Sequence, residues 1–541
     1  MESLNNDMLP PGLHTPRQVS QYYDKKYFAL INSGQAHPFI YPWASAGALL
    51  VIVYLLLDHR RSPLLRHCRY AVFIALCGFQ GWCLFTNVAN DPAASFGLGL
   101  LSAWGCLWVS AVMIFNDCQT DFQRIDRRDG DSAEASSKTG ESIAMSNDRS
   151  LSSGASQLRR RTQEVDIAPT PDGGRLYWQS YPSGSLSERI DWVADVFCSF
   201  RGVGWTFQGT GVPPPPQWAQ AQLNGVGDVK PVPEQPTVSR SGVRRYSDRK
   251  ALLQTCLRSL AVGYLTLDLI GTIMHLDPYF LGYTNSAAPD HIRMILGDSY
   301  ILTKTYRLLL SLAGISTALW AIFKLGPVFF CGIVGTKYIG VRGEPWMNPA
   351  DQYGSFSLVL DKGLAGWWGG FWHQTFRFAF EAPGVRLLEA LRIDKKSQIG
   401  KAIALFVAFF LSGCLHASGS YSQLGDTRPL RGPMCFFLLQ AVGILTQTTV
   451  AAWLKKAGLT QPCPKLMLQV TNFLFVLVWL YHTAPLLVDD FAQGGVWLFE
   501  PVPFSPFRGM GFGAPDDGFF CWKGLPRWST GKHWWHYGIA L

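Results

Sequence analysis

Residues Ala402–Ser420 read AIALFVAFFLSGCLHASGS, a run with no charged side chain and a single histidine, His416. A helix rises 1.5 Å per residue, so about 20 apolar residues cross a bilayer core of roughly 30 Å. This run therefore reads as a membrane-spanning helix. Runs of the same kind recur at Ile40–Leu57, Tyr70–Thr86, Gly97–Phe115, Leu252–Leu276, Tyr306–Phe330, Met434–Leu454 and Leu466–Pro485. The expected fold class is an all-α polytopic membrane protein of eight to nine transmembrane helices. Tyr306–Val341 is long enough to hide the ninth span or a re-entrant pair.

Composition agrees with that class. Of 541 residues, 48% are apolar and 16% charged, against roughly 25% charged in an ordinary soluble domain. With 34 Phe, 20 Trp and 19 Tyr the chain is rich in aromatic residues. Such a composition excludes a disordered chain, a coiled coil and a collagen. The net charge of +9 comes from Lys and Arg at the ends of apolar runs, where the positive-inside bias puts them. They form no basic patch with interleaved aromatics, so no nucleic-acid partner is expected. The 12 Cys make no CxxC pair, so neither a zinc ribbon nor a disulfide framework is expected. No cleavable signal peptide is expected either, because the first apolar run begins only at Ile40.

Loop charges give an orientation. Asp58–Arg69 carries Arg60, Arg61, Arg66 and Arg69 and reads as cytosolic, whereas Asn87–Ser95 carries no Lys or Arg and reads as lumenal. Lys455 and Lys456 end a further run on the cytosolic side. A lumenal N-terminus satisfies all three and places 342–401 in the cytosol.

Five parts are expected along the chain: an N-terminal polar segment (1–39), three transmembrane helices (40–115), a polar cytosolic insertion (116–250), a core (251–505) and a Trp-rich tail (506–541). Within the insertion, Asp121–Pro171 is rich in Ser, Asp, Glu and Arg and reads as disordered. Pro213–Pro216 opens a second stretch that reads as an extended linker. Its Arg244-Arg245-Tyr246-Ser247 is either a solvated linker or a candidate kinase site. Between the two, Ser185-x-x-Glu188 is a capping-box pattern. Behind it Ile190, Val193, Phe197 and Phe200 recur at helical spacing, opposite Glu188, Arg189, Asp191 and Asp195. An amphipathic helix at about 186–201 follows. It either lies on the membrane surface or packs on the cytosolic face of the bundle.

The chain has no GxSxG elbow, HExxH, Walker loop or HxxxD pair. Histidine is then the residue type to follow, because it moves protons near neutral pH. An ionisable group within a span is costly to place, which singles out His416. Ser412, Gly413, Gly419 and Ser420 share its helical face, with Phe406, Phe409 and Phe410 in the preceding turns. Those small residues leave room for a substrate or permit close helix packing. A second cluster is Trp367-Trp368-Gly369-Gly370-Phe371-Trp372-His373-Gln374-Thr375-Phe376-Arg377. If the chain is helical from Phe371, His373 and Arg377 lie one turn apart and suit an anionic ligand such as a phosphate. The alternative is an aromatic belt at the membrane interface. Asp268, inside Leu252–Leu276, is a candidate acceptor contact or a hydrogen-bonding residue between helices. His482 has similar standing near the lumenal end of the last span, and His533 and His536 read as interfacial.

Together Phe371-Trp372-His373-Gln374-Thr375-Phe376-Arg377 and Leu411-Ser412-Gly413-Cys414-Leu415-His416 resemble the paired motifs of the wax-synthase-like branch of the membrane-bound O-acyltransferases (MBOAT). Phe200-Arg201-Gly202-Val203-Gly204-Trp205 and Val496-Trp497-Leu498-Phe499-Glu500-Pro501 look like fungal members of that branch. Many relatives carry an Arg pair before the Trp-His, where this chain has Gly369-Gly370-Phe371, so a contact made there is expected to be missing or moved. The resemblance implies acyl transfer from an acyl-CoA co-substrate to a hydroxyl within a membrane, expected to be that of the endoplasmic reticulum. It implies no bound cofactor, no metal and no covalent intermediate. By that analogy His416 is the general base and His373 a second catalytic residue. Trp372, Gln374, Arg377, Ser412 and Asp268 are candidate substrate-binding residues.

Three function classes follow. The first is acetyl transfer from acetyl-CoA to a lipophilic alcohol such as a terpenoid, as in fungal secondary metabolism. The second is a wax synthase joining long-chain acyl-CoA to a fatty alcohol. The third, a transporter, predicts internal repeats or several intramembrane charges, and the sequence offers little beyond Asp268. The expected partners are acyl-CoA, the alcohol acceptor and membrane lipid.

Overall fold

The structure, a computed structural model, describes residues 9–128, 174–225, 237–522, 527–531 and 533–540. Helix α1 spans Pro16–Asn32, and α2 is the shorter apolar helix Trp43–Leu56. Seven helical stretches are long and apolar enough to cross a membrane: α3 (Pro63–Thr86), α4 (Pro92–Ile114), α7 (Arg249–Met274), α8 (Tyr300–Val334), α11 (Gln398–Tyr421), α12 (Leu430–Lys456) and α13 (Lys465–Gln493). Two helices of the insertion, α5 (Leu186–Cys198) and α6 (Gln217–Leu223), lie between α4 and α7. A further pair, α9 (Ser357–Gly366) and α10 (Arg377–Ala390), lies between α8 and α11.

Starts are set by capping side chains. Asp91 accepts from the amides of Ala93 and Ala94 ahead of α4, each at 2.9 Å. Asp248 accepts from Ala251 at 2.7 Å ahead of α7, and Ser397 from Gly400 at 2.9 Å ahead of α11. Each satisfies an amide that the helix itself leaves unpaired.

Among the described residues, seven long apolar helices stand in place of the eight to nine spans expected. The first expected run loses its beginning, because Ile40 and Tyr41 pair as a strand with Ala540 and Ile539. What remains, α2, is about 20 Å long at 1.5 Å per residue. The stretch Tyr306–Val341 holds no ninth span. It contributes one long helix, α8, and short turns after it.

The segment 342–401 is not a peripheral loop. Helix α9 packs against α13 and α12, and α10 packs against α11. Gly363, at φ 58°, breaks α9 in a conformation that disfavours a side chain. A Cβ there would also meet the Gln447 amide at 2.0 Å. The helix then widens into a π-turn over Trp367–Phe371.

The insertion is more ordered than its composition suggests. Arg124–Arg128 forms a strand antiparallel to Arg175–Gln179, within the stretch expected to be disordered; 129–173 lie outside the described residues. Arg124 is 3% exposed and bonds Asp191 at 2.6 Å and Asp195 at 3.2 Å. Arg342 takes the other oxygen of Asp191 at 2.6 Å. These pairs clamp the polar side of α5, while Trp192, Val193 and Val196 are buried on its other side. Helix α5 therefore packs between protein surfaces. Composition misled here because each carboxylate meets a buried guanidinium from another part of the chain.

The linker after Pro213–Pro216 also folds in part. Arg245 is buried and donates to the Pro214 carbonyl at 2.6 Å and to Thr237 Oγ1 at 2.9 Å. The tail is tied at its far end, where Trp43 Nε1 donates to the Tyr537 carbonyl at 2.7 Å.

The core that carries α4, α5 and α10 is aromatic. Trp104 lies 4.5 Å from Phe376 and 5.1 Å from Phe200, and Trp192 lies 5.0 Å from Trp205, ring centre to ring centre. It joins the insertion to the stretch that bears His373.

Candidate active site

Helix α11 carries His416 into the bundle interior. Its neighbours settle one alternative left open by the sequence: the glycines on the His416 face serve close packing. A Cβ on Gly413 would lie 2.7 Å from the Met434 sulfur, and one on Gly419 2.6 Å from the Phe96 ring. From α4, a Cβ on Gly99 would lie 2.0 Å from the Ser418 carbonyl oxygen. His416 itself stays half-buried, so its ring borders open space despite this packing.

The imidazole orientation is informative. His416 Nδ1 lies 2.8 Å from the Ser412 carbonyl oxygen. A carbonyl oxygen only accepts, so Nδ1 carries the hydrogen and Nε2 presents its lone pair. Ser412 thus contributes through its backbone.

His373 lies between the π-turn and α10. The chain is extended at Trp372 (ψ 150°), and helix resumes only at Arg377. The expected helical pairing of His373 with Arg377 therefore does not form. Gln374 is the reason: its Nε2 donates to the Trp368 carbonyl at 3.0 Å and to the Trp372 carbonyl at 2.6 Å. Both carbonyls are left free where the turn ends. Arg377 completes the knot, donating to Gln374 Oε1 at 3.1 Å and the Gly369 carbonyl at 3.3 Å, and pairing with Glu381 at 2.6 Å. Gln374 and Arg377 hold the turn. His373 Nδ1 is buried and has no hydrogen-bond partner among the described residues.

Aromatic rings connect the two histidines. His373 lies 5.5 Å from Trp372, Trp372 lies 6.0 Å from Trp368, Trp368 lies 6.0 Å from Phe437, and Phe437 lies 4.3 Å from His416. The two imidazoles thus lie at the ends of one packed aromatic cluster. Burial draws the His373 imidazole down to about 3, with the nearby His416 and Arg201 adding to the effect.

Other sequence candidates divide. Trp372 belongs to this aromatic cluster, packing on Tyr353 at 5.5 Å. Asp268 does not: α7 packs on α8, and Asp268 Oδ2 accepts from the Phe507 amide at 3.2 Å. Phe409 faces Trp368 at 5.7 Å, whereas Phe406 and Phe410 are exposed on the outside of the bundle. The expected crowding by three Phe thus reduces to one, because a turn of 3.6 residues swings the others away. His482 touches Tyr481, and His533 stacks on Trp535 at 4.5 Å in the tail.

Two residues of the site escaped sequence reading. Gln440, fully buried in α12, accepts from Trp368 Nε1 at 3.3 Å and donates to Thr483 Oγ1 at 3.2 Å. A glutamine within an apolar run was the available signal. Arg201 was visible only as part of a motif, with nothing to bring it near His373.

The profile of the membrane bound O-acyl transferase family matches residues 350–439, which include both histidines. The chain is 26% identical to acetyltransferase eriL of Hericium erinaceus over 329 residues, covering 59% of this chain and 72% of that one. It is 25% identical to acetyltransferase pyr8 of Aspergillus fumigatus over 358 residues, covering 65% and 75%. It is 23% identical to O-Mevalon transferase macI of Penicillium terrestre over 274 residues, covering 49% and 53%. No solved structure matches the chain.

Proposed function

We propose that the chain is a membrane-bound O-acyltransferase that uses an acyl-CoA co-substrate and acetylates a hydroxyl of a lipophilic small molecule such as a terpenoid. The donor is acetyl-CoA, and the protein resides as a multi-pass protein in the endoplasmic reticulum. Names of relatives support acetyl as the group moved; the transferases of mevalon-type groups support a small-molecule acceptor.

The observation that carries the reading is the His416 Nδ1 bond to the Ser412 carbonyl. It leaves Nε2 as a proton acceptor on a half-buried imidazole. An alcohol is a poor nucleophile until its proton leaves, and a neutral imidazole accepts that proton in the transition state. The alcohol oxygen then attacks the thioester carbonyl, the C–S bond breaks, and the imidazolium returns the proton to the departing CoA sulfur. His373 polarises the thioester carbonyl or orients the alcohol; its unpartnered Nδ1 supports a role that needs a ligand. Trp372 packs beside His373, and Gln374 and Arg377 fix the turn that bears His373.

The test is competition between acetyl-CoA and palmitoyl-CoA, with purified protein and a panel of hydroxylated terpenoids. Each methylene in an apolar pocket is worth roughly 1–3 kcal/mol, so a short pocket rejects palmitoyl almost completely. A preference for palmitoyl-CoA would replace this reading by the wax synthase.

A further inference from the structure

Arg201 begins the loop after α5. Gly202 and Gly204 follow it at φ 62° and 73°, and a Cβ on Gly204 would meet the Met347 side chain at 2.3 Å. Two left-handed positions next to close contacts make this loop hard to build with other residues.

The loop leaves Arg201 with few partners. Its Nη1 donates to the Asp351 carbonyl at 3.1 Å, and its Nε is buried without a partner. Among the described residues no carboxylate lies within ion-pair distance of it. The Asp351 carboxylate is taken by Arg244, through Nε at 2.9 Å, Nη2 at 3.2 Å and the backbone amide at 3.0 Å. Lys324 adds a second cation nearby. It is fully buried, donates to the Ala350 carbonyl and has no carboxylate partner among the described residues. Burial draws the Arg201 guanidinium down to about 10, so it remains a cation at neutral pH.

Positive charge thus exceeds negative charge around residues 350–351. Buried charge without a counter-charge is costly, and a guanidinium with free donors suits a phosphate. The position is also right. Asp351, which holds Arg201, is followed by Gln352, which bonds Thr375 at 2.8 Å, two residues beyond His373.

We propose that Arg201 binds a phosphate group of the acyl donor, with Lys324 supplying further positive potential. The inference rests on the acyl-CoA reading: of the two substrates in that reading, the donor is the one that carries phosphates. Arg377, the residue the sequence suggested for this contact, is engaged by Gln374, Gly369 and Glu381.

The experiment is equilibrium binding to the full chain in detergent, using CoA, dephospho-CoA and pantetheine as probes, for wild type, Arg201→Gln and Arg201→Lys. Arg201→Gln should weaken CoA by about 10–100-fold, the usual effect of losing a bond to a charged group. Pantetheine, which has no phosphate, should bind both proteins equally, and Arg201→Lys should recover part of the loss. If dephospho-CoA is weakened as much as CoA, Arg201 contacts the pyrophosphate; if it is spared, Arg201 contacts the 3′-phosphate. Equal weakening of CoA and pantetheine, or none of either, would overturn the assignment. Failure of wild type to bind CoA at all would overturn the acyl-CoA reading itself and this subsite with it.

Discussion

Trp368 Nε1 donates to Gln440 Oε1 across 3.3 Å, joining the π-turn to α12. Trp368 is the ring between Trp372 on the His373 side and Phe437 on the His416 side. Gln440 is in turn fixed by Phe436 and Thr483. Replacing Gln440 with Leu leaves the indole N–H unpaired at a cost of about 1–3 kcal/mol. We expect a lower melting temperature and a fall of about tenfold in kcat, with the KM for acyl-CoA changed less. Unaltered kcat in Gln440→Leu would mean that the position of Trp368 does not matter to turnover.

His416→Gln and His416→Ala should both lower turnover by roughly 10²–10⁴-fold, the usual value of general-base catalysis. Gln fills similar space but accepts no proton. Because Gly413 and Gly419 carry the helix packing on this face, both variants should still insert and bind CoA. Substantial acyl transfer by a folded His416→Gln protein would exclude His416 as the base.

His373→Phe separates a belt residue from a site residue. It keeps the ring beside Trp372 and Phe323 and removes a buried nitrogen that has no partner. Stability should therefore hold or rise, since an unpaired buried polar group is unfavourable. Turnover should fall at least about tenfold. Wild-type kinetics together with raised stability would make His373 a belt residue.

Much of the bundle was legible in the sequence because a span is a local property. Uncharged runs such as Ala402–Ser420 carry their own evidence, and His416 stood out by its chemistry alone. Long-range pairs were not legible. Asp191 and Asp195 look like a solvated helix face until Arg124 and Arg342 arrive from other segments. Trp372-His373-Gln374 looked helical, because nothing local says that Gln374 will cap the carbonyls of Trp368 and Trp372. Ile40–Leu57 looked like a full span because its strand partner lies at the other end of the chain.

The hairpin of the insertion gives a structural prediction. Arg128 and Arg175 are paired across two antiparallel strands, so the chain between them can be replaced by a short turn. We expect replacement of 129–174 by an Asn-Gly turn, the usual short connection, to preserve expression and acyl transfer in microsomes. Deleting 121–171 instead removes Arg124 and its partners' counter-charge, and should lower stability by about 3–5 kcal/mol, as for other broken buried pairs. Loss of turnover in the Asn-Gly protein at normal expression would give 129–174 a part in catalysis.

Asp117 should set part of the acid sensitivity of the fold. It is 4% exposed and accepts from His59 Nε2 at 3.0 Å and Arg66 Nε at 2.9 Å, with Arg69 at 3.5 Å. Burial pushes its carboxyl upward, but the His59 hydrogen bond and the charges of His59, Arg66 and Arg69 outweigh this and hold it below the usual carboxylate range. A carboxyl depressed in the folded state binds protons more readily when unfolded. Its contribution is therefore complete above the unfolded value of about 3.9 and is lost as pH falls through the lower folded value. Wild-type melting temperature should drop below about pH 4. Asp117→Asn should already be less stable at pH 7, by about 3 kcal/mol for a broken buried pair, and should lose less on further acidification. Melting curves of both proteins from pH 7 to pH 3 provide the check. Parallel acid dependence in the two would show that Asp117 does not contribute to it.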